Sequence, residues 1–397
     1  MLVYGWPPKS ARQYDENGNR IVWAVPKALY GGKASGRYWY NHLRKWLIAQ
    51  GFIQSDWDPC VFTRGDHYIG IYVDDVVHVF NDKAKYDELI RKCKQEFHGY
   101  EDLGPLCEMF NAEVTQTPAH ITITQTRFIE TLCEVHNIDV SSKAYVPALL
   151  DLPELVRLAK KVDAAVDRLN EEDHREYRAI VGAILYISTV CRPDVSLAIC
   201  YLSRCLESPT QDALVAARRV LRYLHTTKYL GIRYTIGAVA NVHGMVDSDW
   251  AVDKSTSGYV FFLADAVFAW LAKGQPCIAM SSTEAEIMAA SLAALEAFFV
   301  RGLLSSLGHK FTKPTIIILS STLTTPAPWR WPTITSPTAR RSTSSVATSR
   351  SVSLLRQVSS RLNTFLLRTM SPTSSLSHSV GHGLRSCAGS SLTIPDL

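Results

Sequence analysis

An α+β fold is what this sequence predicts, on three observations. Two β-prone runs meet at adjacent aspartates within residues 67–80; a long apolar stretch at helical spacing fills residues 177–205; and strand, strand, strand and helix succeed one another from Asn241 past Phe299 around acidic residues. A chain of 397 residues has room for two or three domains, each with a sizeable core.

In chain order, residues 1–112 mix aromatic-rich helical stretches with short β-branched runs. Asp15 and Glu16 fall in a turn-like Asp-Glu-Asn-Gly-Asn segment and read as a solvated loop. Residues 113–236 carry the strong helical signals. The stretch Tyr177 to Cys205 is interrupted at Arg192-Pro193-Asp194, where proline favours a break or a helix start. Thr210 is a good N-cap for a helix through Ala216 and Val220 to Leu224. Asn241 to Val246 reads as a strand leading into Asp247-Ser248-Asp249-Trp250, and residues 258–263 and 267–271 suit an antiparallel pair. A long helix follows, with Ser282 or Thr283 at its cap and Glu286 in its first turns; Ile287, Ala290, Ala294 and Phe298 form its apolar face. From about residue 319 the chain turns to Ser, Thr, Arg, Pro and Leu, with no acid before Asp396, a composition that predicts disorder.

Apolar content of 47% and charged content of 20% belong to the soluble globular class. No run approaches the roughly 20 apolar residues of a bilayer span and no signal-peptide pattern opens the chain, so an intracellular protein with no membrane partner is expected. Nine cysteines without a CxxC spacing suggest reduced thiols. The net charge of +5 is misleading: from residue 297 onward there are 11 Lys/Arg and one acid, leaving residues 1–296 at −5.

The first chemical constellation is Tyr72-Val73-Asp74-Asp75 between two β-prone runs. One reading is a hairpin whose turn contains aspartates, which suit turns. Against it, no glycine follows either aspartate, and two adjacent like charges repel unless a cation sits between them. Polymerases need such a pair to hold Mg²⁺.

The wider pattern resembles the reverse transcriptases of copia-type LTR retrotransposons. Lys27-Ala28-Leu29-Tyr30-Gly31 followed by Arg37-Tyr38-Trp39-Tyr40, then Asp58-Pro59-Cys60-Val61-Phe62, the Tyr72–Asp75 box and Asp102-Leu103-Gly104 look like that family's elements in their order. So do Tyr177-Arg178-Ala179-Ile180-Val181-Gly182, Arg192-Pro193-Asp194 and residues 218–224. A departure is Asn111-Ala112-Glu113-Val114, where the family has Leu-Gly-Ile-Glu-Val. The resemblance implies a partial palm over residues 1–112, a helical thumb or connection over 113–236, the N-terminal part of an RNase H-like domain over 237–318, and a disordered tail over 319–397. It makes Asp74 and Asp75 catalytic metal ligands for Mg²⁺, with Mn²⁺ as a substitute. The family's third palm aspartate precedes the Lys27 element and is not found here, so polymerisation by this chain alone is not expected.

Asp247-Ser248-Asp249-Trp250-Ala251, residues 255–259 and Ser281–Glu286 are similar to the copia-type RNase H domain, which implies Asp247 and Glu286 as two of four metal ligands. Asp249 and Glu284 read as neighbouring surface charge, and Glu286 also suits a helix start by its charge alone. Two further family aspartates are absent from the tail, yet a shifted frame over residues 324–335 permits Asn-Thr-Gly-Ala, with an Asp before it, and one over residues 369–379 permits Ala-Asp-Ile-Phe-Thr-Lys-Pro-Leu. A frameshift near residues 314–323 in a truncated copy is therefore expected. By resemblance the partners are an RNA template, an RNA–DNA hybrid and dNTPs, in a cytoplasmic particle or the nucleus. The alternative is a non-catalytic remnant that at most binds nucleic acid or metal weakly.

Overall fold

The computed structural model describes residues 3–5, 9–25, 32–148, 152–161, 168–251, 254–264, 266–311, 314–319, 377–380 and 389–395. β1 (Val3–Gly5) and β2 (Trp23–Val25) pair antiparallel. The loop between them is turned by Asp15, whose Oδ1 accepts N–H bonds from Asn17 and Asn19, as expected for an exposed loop. α1 (Ser35–Ala49) buries Leu43 and Leu47, four residues apart and so on one face. β3 (Ile53–Gln54), β4 (Val61–Arg64), β5 (His67–Tyr72) and β6 (Asp75–Phe80) form an antiparallel meander. α2 (Lys83–Glu96) starts at Asp82, whose carboxylate accepts from the N–H groups of Ala84 and Lys85, and buries Tyr86, Leu89, Ile90 and Cys93 at helical spacing. Trp39 and Trp46 of α1 meet Phe97 edge-on at 5.3 Å, closing one face of the meander over Phe62, Ile69, Ile71 and Val76. The other face is covered too, since Tyr68, Val77 and Val79 join the core shared with the later sheets, which is why β5 and β6 are buried on both sides. β7 (Asp102–Pro105) ends this unit.

β8 (Glu108–Met109), β9 (Ala112–Gln116) and β10 (His120–Thr124) form a second antiparallel sheet. The helices follow: α3 (Thr126–Val135), α4 (Leu152–Lys161), α5 (Glu171–Val190), α6 (Ser196–Leu202) and α7 (Gln211–Thr226). β11 (Ile232–Thr235) then returns to pair with β10, so this region holds strands as well as the helices expected of it. α5 stops ahead of Pro193, a short 3₁₀ turn spans Pro193–Val195, and α7 is capped by Thr210 through Ala213 N, all as the sequence indicated. Arg192 is the unexpected element. Only 1% exposed, it donates to both oxygens of Asp194 (2.9 and 2.7 Å) and to the carbonyl and hydroxyl of Thr227, while Tyr223 donates to Asp194. The Arg-Pro-Asp step therefore ties the α5–α6 corner to the end of α7.

β12 (Val242–Asp249), β13 (Thr256–Leu263) and β14 (Ala266–Gly274) are antiparallel, α8 (Ser282–Ser306) crosses over, and β15 (Ile316–Leu319) returns parallel to β12, giving the order β14-β13-β12-β15. The first strand runs on through Asp249 instead of ending at Val246, and the helix cap is Ser281, which accepts from Glu284 N, one residue before the expected Ser282. The expectation that no segment approaches a bilayer span also needs correction, because α8 is long and apolar enough by length and composition. Its alanines 289, 293 and 297 are buried in the sheet core, and Trp57 packs on it edge-on to Phe298 at 5.1 Å. A Cβ on Gly302 would lie 2.0 Å from Trp57, and Ser55 hydrogen-bonds Ser306 at 2.8 Å, so the meander and α8 are in direct contact.

In the tail expected to be disordered, the described residues include two strands. β16 (Ser377–Val380) pairs antiparallel with β17 (Gly389–Pro395), and β17 lies parallel to β6 and to β7. The edge of β6 offers unpaired backbone N–H and C=O groups that such a strand satisfies. The shifted-frame segment 324–335 lies outside the described residues, as does 369–376.

Candidate active site

Tyr72 pairs with Asp75 across the β5–β6 hairpin, leaving Val73 and Asp74 as a two-residue turn. Val73 has φ 57°, a left-handed conformation that a β-branched side chain rarely adopts and that tight hairpins normally give to glycine. Such a backbone costs of order 1–3 kcal/mol and persists only where the surroundings enforce it. The surroundings here are specific. Trp39 Nε1 donates to the Val73 carbonyl at 2.9 Å, and Tyr72 stands edge-on to Phe110 at 4.6 Å. Phe110 lies in the β8–β9 turn, and its carbonyl accepts from Tyr186 of α5 at 2.7 Å. Asp74 and Asp75 are thus part-exposed neighbours at the end of a hairpin braced from α1 and from the second sheet. Two adjacent carboxylates are oxygen donors of the kind Mg²⁺ and Mn²⁺ take, usually with waters and further oxygens completing the shell.

The second pair is arranged differently. Side chains alternate along β12, and Asp249 accepts a hydrogen bond from Tyr201 of α6, so Asp247, two residues earlier, shares that face. Burial and the bond to Asp249 push the Tyr201 phenol up. On this side Asp247 and Asp249, with Leu197, Met245, Val260 and Trp270, line a cavity of about 590 Å³ between α6 and the sheet. α8 packs on the opposite face: Gln275 bridges Ser257 of β13 and the Ala285 carbonyl. Glu286 is therefore on a helix across the sheet from Asp247. Glu284 is accounted for separately, since its carboxylate accepts from Met280 N at 2.7 Å and completes the cap made by Ser281. Among the described residues no three His, Cys, Asp or Glu side chains gather as a metal site.

Residues 3–150 match the family described as reverse transcriptase (RNA-dependent DNA polymerase). The chain is 32% identical over 311 residues to the retrovirus-related Pol polyprotein from transposon RE1 of Arabidopsis thaliana, covering 76% of this chain and 20% of that protein. It is 29% identical over 300 residues to the corresponding polyprotein from transposon TNT 1-94 of Nicotiana tabacum, covering 72% and 22%. A shorter relative, an uncharacterized mitochondrial protein of Arabidopsis thaliana, is 30% identical over 234 residues, 58% of this chain and 92% of that protein. The chain belongs to the retrotransposon Pol polyprotein family. It spans about one fifth of the length of the Pol polyproteins it matches.

Within this Pol chain, Asp74 and Asp75 fall at one hairpin end, while Asp247 lies on the face of β12 opposite the one that α8, which carries Glu286, covers. In the sequence Trp39 is legible only as part of a motif, because its bond to a carbonyl 34 positions away has no local signal. The pairing of His67 with His78 has no signal there either. These lie 3.1 Å apart, nitrogen to nitrogen, and both are buried, with Phe52, Phe80 and Tyr86 around them. Asp58 of the Asp-Pro-Cys step is buried and accepts from Cys60 N at 2.8 Å, a local turn bond that makes this aspartate structural.

Proposed function

We propose that the Asp74–Asp75 turn is the metal-holding element of an RNA-directed DNA polymerase palm, and that the β12–β15 sheet with α8 is part of an RNase H-like unit. The observation that carries the first reading is the strained turn: Val73 holds φ 57°, where glycine would be free of strain, beside two adjacent, part-exposed aspartates. A bound Mg²⁺ would supply activation of a primer hydroxyl and charge stabilisation at the leaving pyrophosphate. The chain's own part is to fix Asp74 and Asp75 relative to α1 and to seat RNA template and dNTP beside them. With no third carboxylate gathered there among the described residues, metal binding by this chain is weak and polymerisation is impaired.

The RNase H-like reading rests on Asp247 and on the β12-β13-β14-α8-β15 order around it. β15 keeps its register with β12 through Leu319, which supports a change of reading frame later than that residue, within 320–323.

Primer extension on an RNA template with Mg²⁺ or Mn²⁺, beside a hybrid-cleavage assay, tests these proposals. Weak Mn²⁺ binding, abolished by Asp74→Asn with Asp75→Asn and unaccompanied by extension or cleavage, is expected. Efficient extension, or Mn²⁺ binding indifferent to both substitutions, overturns the reading. Sequencing the underlying DNA decides the frame: if the shifted frame does not spell Asp-Asn-Thr-Gly-Ala, that part fails.

A further inference from the structure

We infer that Trp39 is a positioning residue for the Asp74–Asp75 turn, its indole N–H holding Val73 in the left-handed conformation from which the two aspartates follow. The inference rests on the polymerase reading of that turn. Three observations meet here. Val73 carries the strain, with φ 57° on a β-branched residue that is also 63% exposed, so its own side chain has little packing to pin it. Trp39 supplies the tether, a 2.9 Å bond from Nε1 to the Val73 carbonyl. The tether is itself anchored: the indole packs edge-on to Phe97 at 5.3 Å, and α1 is held by the burial of Leu43 and Leu47.

The physical consequence follows from the geometry of the turn. Relaxing Val73 toward negative φ rotates its peptide plane and withdraws the carbonyl from the indole. The hydrogen bond and the strain therefore oppose each other, and losing the bond releases the turn. A glycine at position 73 would remove the strain and, with it, the need for the tether. Trp39 and Val73 should then be energetically coupled although their side chains have different jobs, one supplying a donor and the other an unfavourable backbone.

The test is a cycle of Trp39→Phe, Val73→Gly and the double variant in the full chain. Phe keeps the aromatic contact with Phe97 and removes only the N–H. The readouts are amide hydrogen exchange over residues 72–76, Mn²⁺ affinity by EPR, and circular dichroism as a control for folding. Expected is about three- to tenfold faster exchange at the turn in Trp39→Phe, the range that one net hydrogen bond gives, with Mn²⁺ binding weakened by a similar factor and the far-UV spectrum unchanged. In the Val73→Gly background, Trp39→Phe should change exchange by less than about twofold, because nothing strained is left to release. Equal exchange in wild type and Trp39→Phe, or the same acceleration in both backgrounds, overturns the inference. If wild type binds no Mn²⁺, the polymerase reading fails, and the exchange cycle still decides the role of Trp39.

Discussion

His67 and His78 make the stability of the hairpin depend on pH. Burial pushes the His78 imidazole down to about 3 from an ordinary 6.5, and burial, then the neighbouring His78 and Arg64, hold His67 well below its usual value. The rings share one hydrogen bond, and His67 Nδ1 and His78 Nε2 have no partner among the described residues, so a proton added to either would have no acceptor. A base whose folded pKa lies below its unfolded value contributes stability that is present above pH 6.5 and lost as pH falls toward the folded pKa. For His78 alone, 6.5 falling to about 3 means a loss of about 2 kcal/mol between pH 8 and pH 5, as an order of magnitude. Urea unfolding followed by tryptophan fluorescence at the two pH values measures it. His78→Leu, similar in volume and unable to titrate, should shrink the pH-dependent loss by about that amount. The reasoning is refuted if wild type and His78→Leu lose equal stability on acidification, or if NMR shows the His78 ring titrating near 6.5.

Three further substitutions test the framework. Gly302→Ala should destabilise the protein by about 1–2 kcal/mol in urea unfolding: the helix gains up to about 1 kcal/mol from the propensity of alanine, but a Cβ 2.0 Å from Trp57 imposes an overpacking cost of about 1–3 kcal/mol or more. Asp194→Asn leaves Arg192 buried without its ion-pair partner, and because Asp194 is itself 34% exposed the loss should fall near the lower end of the ~3–5 kcal/mol typical of broken buried pairs, read from the same unfolding curves. Thr210→Ala removes the cap of α7, which should cost about 1 kcal/mol and lower the melting temperature by a few degrees.

What could be read in advance followed from local rules. The hairpin around Asp74, the break at Pro193, the Thr210 cap and the β13–β14 pair each follow from periodicity, turn chemistry or capping within a dozen residues. What escaped involves distant partners: β11 reaching back to β10 over a hundred positions, Arg192 reaching Thr227, and Trp39 reaching Val73. That Asp247 faces away from the side of the sheet that α8 covers escaped for a related reason. A motif gives the order of carboxylates along the chain, whereas the face each one takes is set by strand parity and by which side of the sheet the next helix covers. For Asp74 and Asp75, adjacency in sequence and a two-residue turn already put both residues at one hairpin end.

The meeting of Trp57 with Gly302 bears on how such a chain can be divided. An interior glycine in a long helix is a local weakness, tolerated here because the indole needs the space. Cut between the meander and α8, each piece would bare an apolar wall shaped for the other: Trp57 on one side, Phe298 and Phe299 on the other. Expressed separately, the two halves should be sticky and poorly soluble, while mixed together they should find each other again. The boundary along the sequence between the β3–β6 meander and the β12–β15 sheet with α8 is, for the folded chain, an internal seam.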